Sequence, residues 1–380
     1  MSNSEISKSE VAAEFEKLRK LAEATPINDM QSGSWFATVL QYAMSTYTKR
    51  VNAEFFRQKY PDLPRDAIVD RRIVLAKRYS ALAGGMTASA YTAAVAATLG
   101  TAGGASPLTL PAAAAAFAAD LFLITQLQLK LAYDLAILYD HPIDIEDPED
   151  LYELIRVAFG IKTGEAFRNA AMKLAPEATR VGVKVVASGS RLAVLKSLPV
   201  VGKHLLQRNI IKFAIPVVGI PLSASINYFT TGSVASVARR IFRGRAATQL
   251  AAEEIAQDTL GSPLLALQVV YLMAQADGLV TGEEASLMQA LATHYLDGGE
   301  AGDAVEKFAS VLHLSESEVF AHISKTDTET RQMLYHTAVI AASADASLHR
   351  KEWQLLKRLA PVCDVVYDWR AVKAVASEFH

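Results

Sequence analysis

Apolar residues recur at helical spacing along most of this chain. Val11, Phe15, Leu18 and Ala22 fall three or four positions apart and mark one face of a helix. Ser7 and Glu10 stand before it in the order of a capping box. Pro26 and Gly33 punctuate the next stretch. Phe36, Leu40, Ala43, Tyr47, Val51 and Phe55 then predict a second helix that ends near Pro61. A third starts near Asp66 and runs into Leu82. Residues 1–78 therefore read as amphipathic helices packing on a larger core.

The pattern then loses its polar half. No charged residue stands between Arg78 and Asp120, and none in the stretch from Phe213 to Ala238. The first of these stretches is broken at TAGGASPLTLP, which predicts two apolar helices joined by a Gly/Pro turn. Its length alone would allow a membrane span. Its residues, however, are mostly Ala, Gly, Ser and Thr, for which insertion is only weakly favourable. The reading preferred is a buried hairpin, with Gly84, Ala88 and Ala93 allowing close helix approach; a peripheral membrane position fits either case. Asp120 ends an apolar run, where a charge is costly unless partnered. It is expected to pair with a basic residue or to cap a backbone end. Asn227 is expected to bond locally, and Tyr139 to lie at the core edge with its hydroxyl in water.

The segment from Leu110 to Ile155, LPAAAAAFAADLFLITQLQLKLAYDLAILYDHPIDIEDPEDLYELI, resembles the EcsC family. Asp120, Tyr139, Asp140 and Asp147–Pro148 carry the likeness, although Asp140 stands where the pattern has Gly. KFAIPVVGIPLSASINYFTTGSVASVARRIFRGR, from Lys212 to Arg245, matches a second signature of the family through Pro216, Gly219 and Asn227. The resemblance covers about residues 80–245, within a helical core placed at 79–250. It implies a protein associated with membrane machinery and supplies no catalytic residues.

Charge is unevenly placed. Residues 261–380 hold 9 Lys+Arg against 16 Asp+Glu, and the rest of the chain holds 29 against 24. From Ile155 to Ala252 there are 15 basic residues and only Glu165 and Glu177 as acids. On a helix after Pro176, Arg180, Lys184 and Arg191 would share a face. Arg239, Arg240, Arg243 and Arg245 cluster beyond the second apolar stretch. Basic clusters beside apolar helices suit an anionic lipid surface or an integral membrane partner. The same residues would also serve as a solvated face, or one that docks the acidic C-terminal region. No recognition motif or interleaved aromatic accompanies them, so nucleic acid is not expected. VGVKVVASGS alternates and reads as a short strand or irregular chain.

The C-terminal region, 262–380, repeats itself. MAQADGLVTGEEASLMQALA, from Met273, aligns with AASADASLHRKEWQLLKRLA, from Ala341, at an offset of 68. Leu287 then matches Leu355 and Leu291 matches Leu359, as two related helix–turn–helix units would require. Asp277, Gly278, Val280 and Glu284 resemble the TerB-like signature of tellurite-resistance and other stress proteins. The second copy keeps Asp345, Leu348 and Glu352 but has Ala346 for Gly. The resemblance spans about 262–365 and implies a divalent cation, calcium or magnesium, held by Asp277, Glu284, Asp345 and Glu352. Clustered carboxylates suit such hard cations. The competing reading is structural: Thr281 and Glu284 form a capping box, and Asp277 shapes a turn.

The bulk composition fits an all-α protein, a helical bundle with long apolar hairpins and a smaller C-terminal helical domain. Hydrophobic residues make up 51% and charged residues 21%. The single cysteine, Cys363, and the charged N-terminus fit a cytoplasmic protein, peripheral to the inner face of the plasma membrane. The chain has no Walker A sequence, no dinucleotide-binding glycine fingerprint, no HExxH and no GxSxG. His313, His322, His336 and His349 show no metal-ligand spacing. The function expected is that of a non-enzymatic membrane-associated accessory or stress-response protein. The alternative is an enzyme acting on a lipid or other hydrophobic substrate, with Asp120, Tyr139 and Asn227 lining its pocket.

Overall fold

The structure is a computed structural model that describes residues 8–100, 106–160, 191–210, 219–276, 282–297, 315–343 and 349–378. Among these every regular element is a helix, so the all-α class holds. The chain forms two compact units, Met1–Arg239 and Arg240–His380.

The first unit begins with α1 (Lys8–Ala24), α2 (Ile27–Ser32), α3 (Trp35–Met44), α4 (Tyr47–Arg50) and α5 (Ala53–Lys59). Phe15, Leu18 and Ala22 of α1 are buried as their spacing required. The single second helix expected from Phe36 to Phe55 is instead three. The chain turns at Ser45 and Thr46, and Val51 is extended with φ −103° and ψ 114°. Asn52 then caps α5, its side chain accepting the Phe55 N–H at 2.8 Å. This restart moves the inward face by one position, so Phe56 is buried and Phe55 only half-buried.

Two long helices follow, α6 (Arg65–Gly100) and α7 (Ser106–Leu138), packed on one another as a hairpin. The third helix therefore does not stop at Leu82. Ala113–Leu138 is long and apolar enough to cross a membrane, yet 89% of its apolar window is buried inside the protein. α7 is the central helix of this unit, touched by α1, α3, α5, α6 and α8 (Pro148–Phe159). Trp35 stacks on Phe122 of α7 at 5.2 Å, and Phe36 meets Phe159 of α8 edge-on at 5.6 Å.

α9 (Arg191–Ile210) packs on α2 and α3 by contact of bare backbone. A Cβ on Gly202 would lie 2.1 Å from the Gly33 carbonyl oxygen, and Gly33 itself has φ +85°. Neither position admits a larger residue without moving a helix. α10 (Gly219–Asp258) supplies its residues up to Arg239 to the first unit and the remainder to the second.

The second unit continues with α11 (Pro263–Ala274), α12 (Gly282–Asp297), α13 (Glu316–Ile323), α14 (Thr328–Ala342), α15 (Arg350–Val362) and α16 (Trp369–Glu378). The internal repeat reappears in the helix boundaries. α11 ends at Ala274 and α14 at Ala342, α12 starts at Gly282 and α15 at Arg350, each pair separated by the 68 positions of the sequence offset. α11 packs on α14, and each packs on the helix of its own hairpin, α12 or α15. Leu287, Leu291, Leu355 and Leu359 all enter the shared core. Cys363 is buried beside them, and burial pushes its thiol up to about 12, which leaves it a packing residue at neutral pH.

Candidate functional site

The first unit buries several polar side chains along α7, among them Asp120, Gln126 and Asp134. Buried polar groups must find partners, and the partners here lie on other helices. Asn227 of α10 donates from Nδ2 to Asp120 Oδ1 at 3.1 Å. Thr87 of α6 reaches the same oxygen at 3.3 Å and shares its hydroxyl proton with the Ala83 carbonyl. Ser80 of α6 donates to the Asn227 carbonyl at 3.1 Å. Gly84 makes this meeting feasible, because a Cβ there would lie 2.7 Å from both Asn227 Nδ2 and the Ser223 carbonyl oxygen.

Two of the three residues read as a polar pocket, Asp120 and Asn227, are thus brought together. The Asn227 side chain bonds across helices, and Thr230 bonds its carbonyl locally. Among the described contacts, Asp120 accepts from an amide and a hydroxyl. Tyr139 belongs to another cluster. It is buried, and its hydroxyl donates to Asp66 Oδ1 at 2.6 Å instead of facing water. Burial and then Asp66 push its phenol up to about 12. Asp140 beside it has φ +57°, a left-handed conformation, and pairs with Arg65.

A third set lies lower on α7. Tyr47 donates to Asp134 Oδ1 at 2.6 Å, and Arg72 grips Oδ2 through Nε at 2.8 Å and Nη2 at 2.5 Å. Burial pushes the Asp134 carboxyl up, against the pull of Arg72 and Tyr47. The same burial acts to lower Arg72, but the Asp134 charge outweighs it and holds the guanidinium firmly protonated. Lys130, one turn away on α7, is lowered by burial and stands over the Tyr47 ring at 5.1 Å. Each set joins at least two helices through a carboxylate: Asp120 to α6 and α10, Tyr139 to Asp66 of α6, and Asp134 to Tyr47 and Arg72. Their chemistry is that of clamps between helices.

The outward side of the same elements differs. Tyr228 and Phe229 follow Asn227 on α10 and are 37% and 69% exposed. Lys77 of α6 places Nζ 4.2 Å from the Tyr228 ring centroid, a cation–π distance. Gly232 makes room for the lysine stem, a Cβ there lying 3.3 Å from Lys77 Cε. Val74, one turn before Lys77, is 45% exposed, and Arg78 beside it is exposed. The hydrophobic pattern marked these helices as buried and gave no sign that two aromatics face out.

The basic residues named from sequence divide. Arg180 and Lys184 lie outside the described residues, and Arg191 opens α9. Arg239 is engaged within the first unit, with Nη1 2.7 Å from Asp70 and Nη2 3.5 Å from Asp66. Arg240 and Arg243 are exposed and Arg245 half-buried on the second unit's part of α10.

Of the four carboxylates read as a cation site, Asp277 and Asp345 lie outside the described residues. Glu284 and Glu352 occupy equivalent positions near the starts of α12 and α15, and both are buried. Glu352 accepts the His349 N–H at 2.6 Å and completes a capping box. A different set of metal-ligating groups does converge in this unit. His336 of α14 faces Glu254 and Asp258 of α10, a meeting of residues distant in sequence that no local spacing could announce. In comparison with known proteins, no family model, no curated protein and no solved structure matches this chain.

Proposed function

We propose that this chain is a non-enzymatic accessory protein that works at an anionic membrane surface, its first unit touching lipid and its acidic second unit serving regulation. The observation that carries the reading is the exposed Tyr228–Phe229 pair beside Lys77, with Val74 and Arg78 on the same stretch of α6. Aromatic rings and a lysine stem bury well at the headgroup boundary, while the ammonium meets lipid phosphate. The resemblance of residues 80–245 to the EcsC family points the same way. Localisation is then cytoplasmic and peripheral to the inner face of the plasma membrane. The enzyme alternative draws its support from the Asp120–Asn227 contact, which joins two helices in a buried setting.

Flotation of the full chain with vesicles of phosphatidylcholine and phosphatidylserine tests this reading. Phe229→Ala removes an exposed ring worth up to about 1.5–3 kcal/mol of burial and should lower the bound fraction about tenfold or more. Lys77→Ala should cost about 1 kcal/mol and only with the anionic vesicles. Absence of flotation at low salt, or equal binding by wild type and Phe229→Ala, would discard the proposal.

A further inference from the structure

We infer that Glu254, Asp258 and His336 form a binding site for a divalent transition-metal ion of the zinc type. Glu254 and Asp258 stand four apart on α10 and so share a face. His336 comes from α14 and presents Nδ1 to both, 4.0 Å from Glu254 Oε1 and 3.7 Å from Asp258 Oδ2. One ligand atom from each of the three lies within 4.8 Å of the other two.

Ligands about 2.0–2.1 Å from a tetrahedral zinc stand roughly 3.3 Å from each other, so rotamer shifts of about 1 Å would close the set. The side chains have that freedom, being 41% exposed for His336 and 44% for each carboxylate. Their backbones do not move with them. Ile255 beside Glu254, and Tyr335 and Thr337 on either side of His336, are buried in the core. Ligands carried on fixed helices are placed more precisely than ligands on loops.

Charge also favours an ion here. Two carboxylates facing one imidazole carry more negative charge than a single histidine can offset, even when protonated. A doubly charged cation balances both. The donor set selects among cations: calcium and magnesium take oxygen ligands, whereas an imidazole nitrogen with carboxylates suits zinc and its neighbours. Three protein ligands leave a position for water or a further group. This site differs from the acidic turns at Asp277 and Asp345, and it does not depend on the membrane reading.

Calorimetric titration of the chelator-treated full chain with zinc chloride, beside magnesium chloride, tests the inference. Wild type should bind zinc in preference to magnesium. His336→Ala, and separately the isosteric pair Glu254→Gln with Asp258→Asn, should each weaken zinc binding about tenfold or more, since even groups behind the ligands are worth that much. The substituted side chains are exposed, and circular dichroism checks that each variant is folded. Cobalt(II) should give visible absorption bands with wild type that both variants lose. Zinc binding unchanged in the variants, no zinc binding by wild type, or magnesium bound as tightly as zinc would each overturn the site.

Discussion

Among the described residues, the two units differ in where their buried polar groups find partners. In the first unit the bonds reach across the fold: Asp120 to Asn227 and Thr87, Asp134 to Arg72 and Tyr47, Tyr139 to Asp66, Tyr133 to the Val51 carbonyl. In the second unit several of the described bonds close within one helix. Thr248 bonds the Gly244 carbonyl, Thr337 that of Met333 and Ser343 that of Val339, while Glu352 caps its own helix. Thr259 with Tyr295 is an exception. The contrast follows from composition. α6 and α7 are rich in small residues, and smooth alanine surfaces can slide past one another at little cost. Polar pairs that bond in only one register remove that freedom. The second unit interlocks Leu287, Leu291, Leu355 and Leu359, whose shapes define the packing unaided.

The largest effect should come from Asp134→Ala. Arg72, its side chain 20% exposed, would be left without its carboxylate, a loss of up to about 3–5 kcal/mol. Urea unfolding followed by circular dichroism measures it. Replacing both partners, as Arg72→Met with Asp134→Leu, should recover most of the loss, because the apolar pair carries no desolvation cost. A cost below about 1 kcal/mol for the single substitution would mean that the pair clamps nothing, and the comparison would fail at its strongest point.

Asn227→Leu comes next. It keeps the volume near Gly84 but withdraws the amide from Asp120 Oδ1. Loss of a donor to a buried carboxylate should cost about 1–3 kcal/mol, read from the same unfolding curves. A neutral result would show that α6, α7 and α10 hold their register by packing alone.

Legibility in the sequence divides along the same line. Phe15, Leu18 and Ala22 announce α1 because one side of that helix is wet and the other dry. The repeat announces the second unit because equivalent residues do equivalent work, down to helix ends at Ala274 and Ala342. α6 shows no such stripe beyond Leu82: Ala and Gly surround it on all sides, so its end at Gly100 left no periodic trace. The break at Asn52 was readable in principle, since Asn is a strong N-cap, but the apolar spacing through Tyr47 and Val51 runs on without a gap. Asp120 and Asn227 could each be singled out as polar residues in apolar surroundings. Their pairing could not, because it depends on how α7 and α10 cross. His336 is the plainest case: its carboxylate neighbours lie on a helix far upstream, and only the fold brings them together.

The smallest effect should come from Thr337→Val in the second unit. Thr337 is as buried as Asp134, each 1% exposed, so burial alone would predict a comparable penalty. Its hydroxyl, however, bonds the Met333 carbonyl at 3.0 Å, an oxygen one turn back on the same helix. That carbonyl is already an acceptor in the helix ladder, so removing the hydroxyl leaves no group stranded. Valine has nearly the same shape, and its methyl replaces a polar atom in an apolar setting. The net change should stay within about 0.5 kcal/mol of zero. Thermal unfolding of the variant beside Asn227→Leu makes the measurement direct. A penalty for Thr337→Val as large as that for Asn227→Leu would erase the distinction between local and cross-helix bonds, and burial alone would then set the cost.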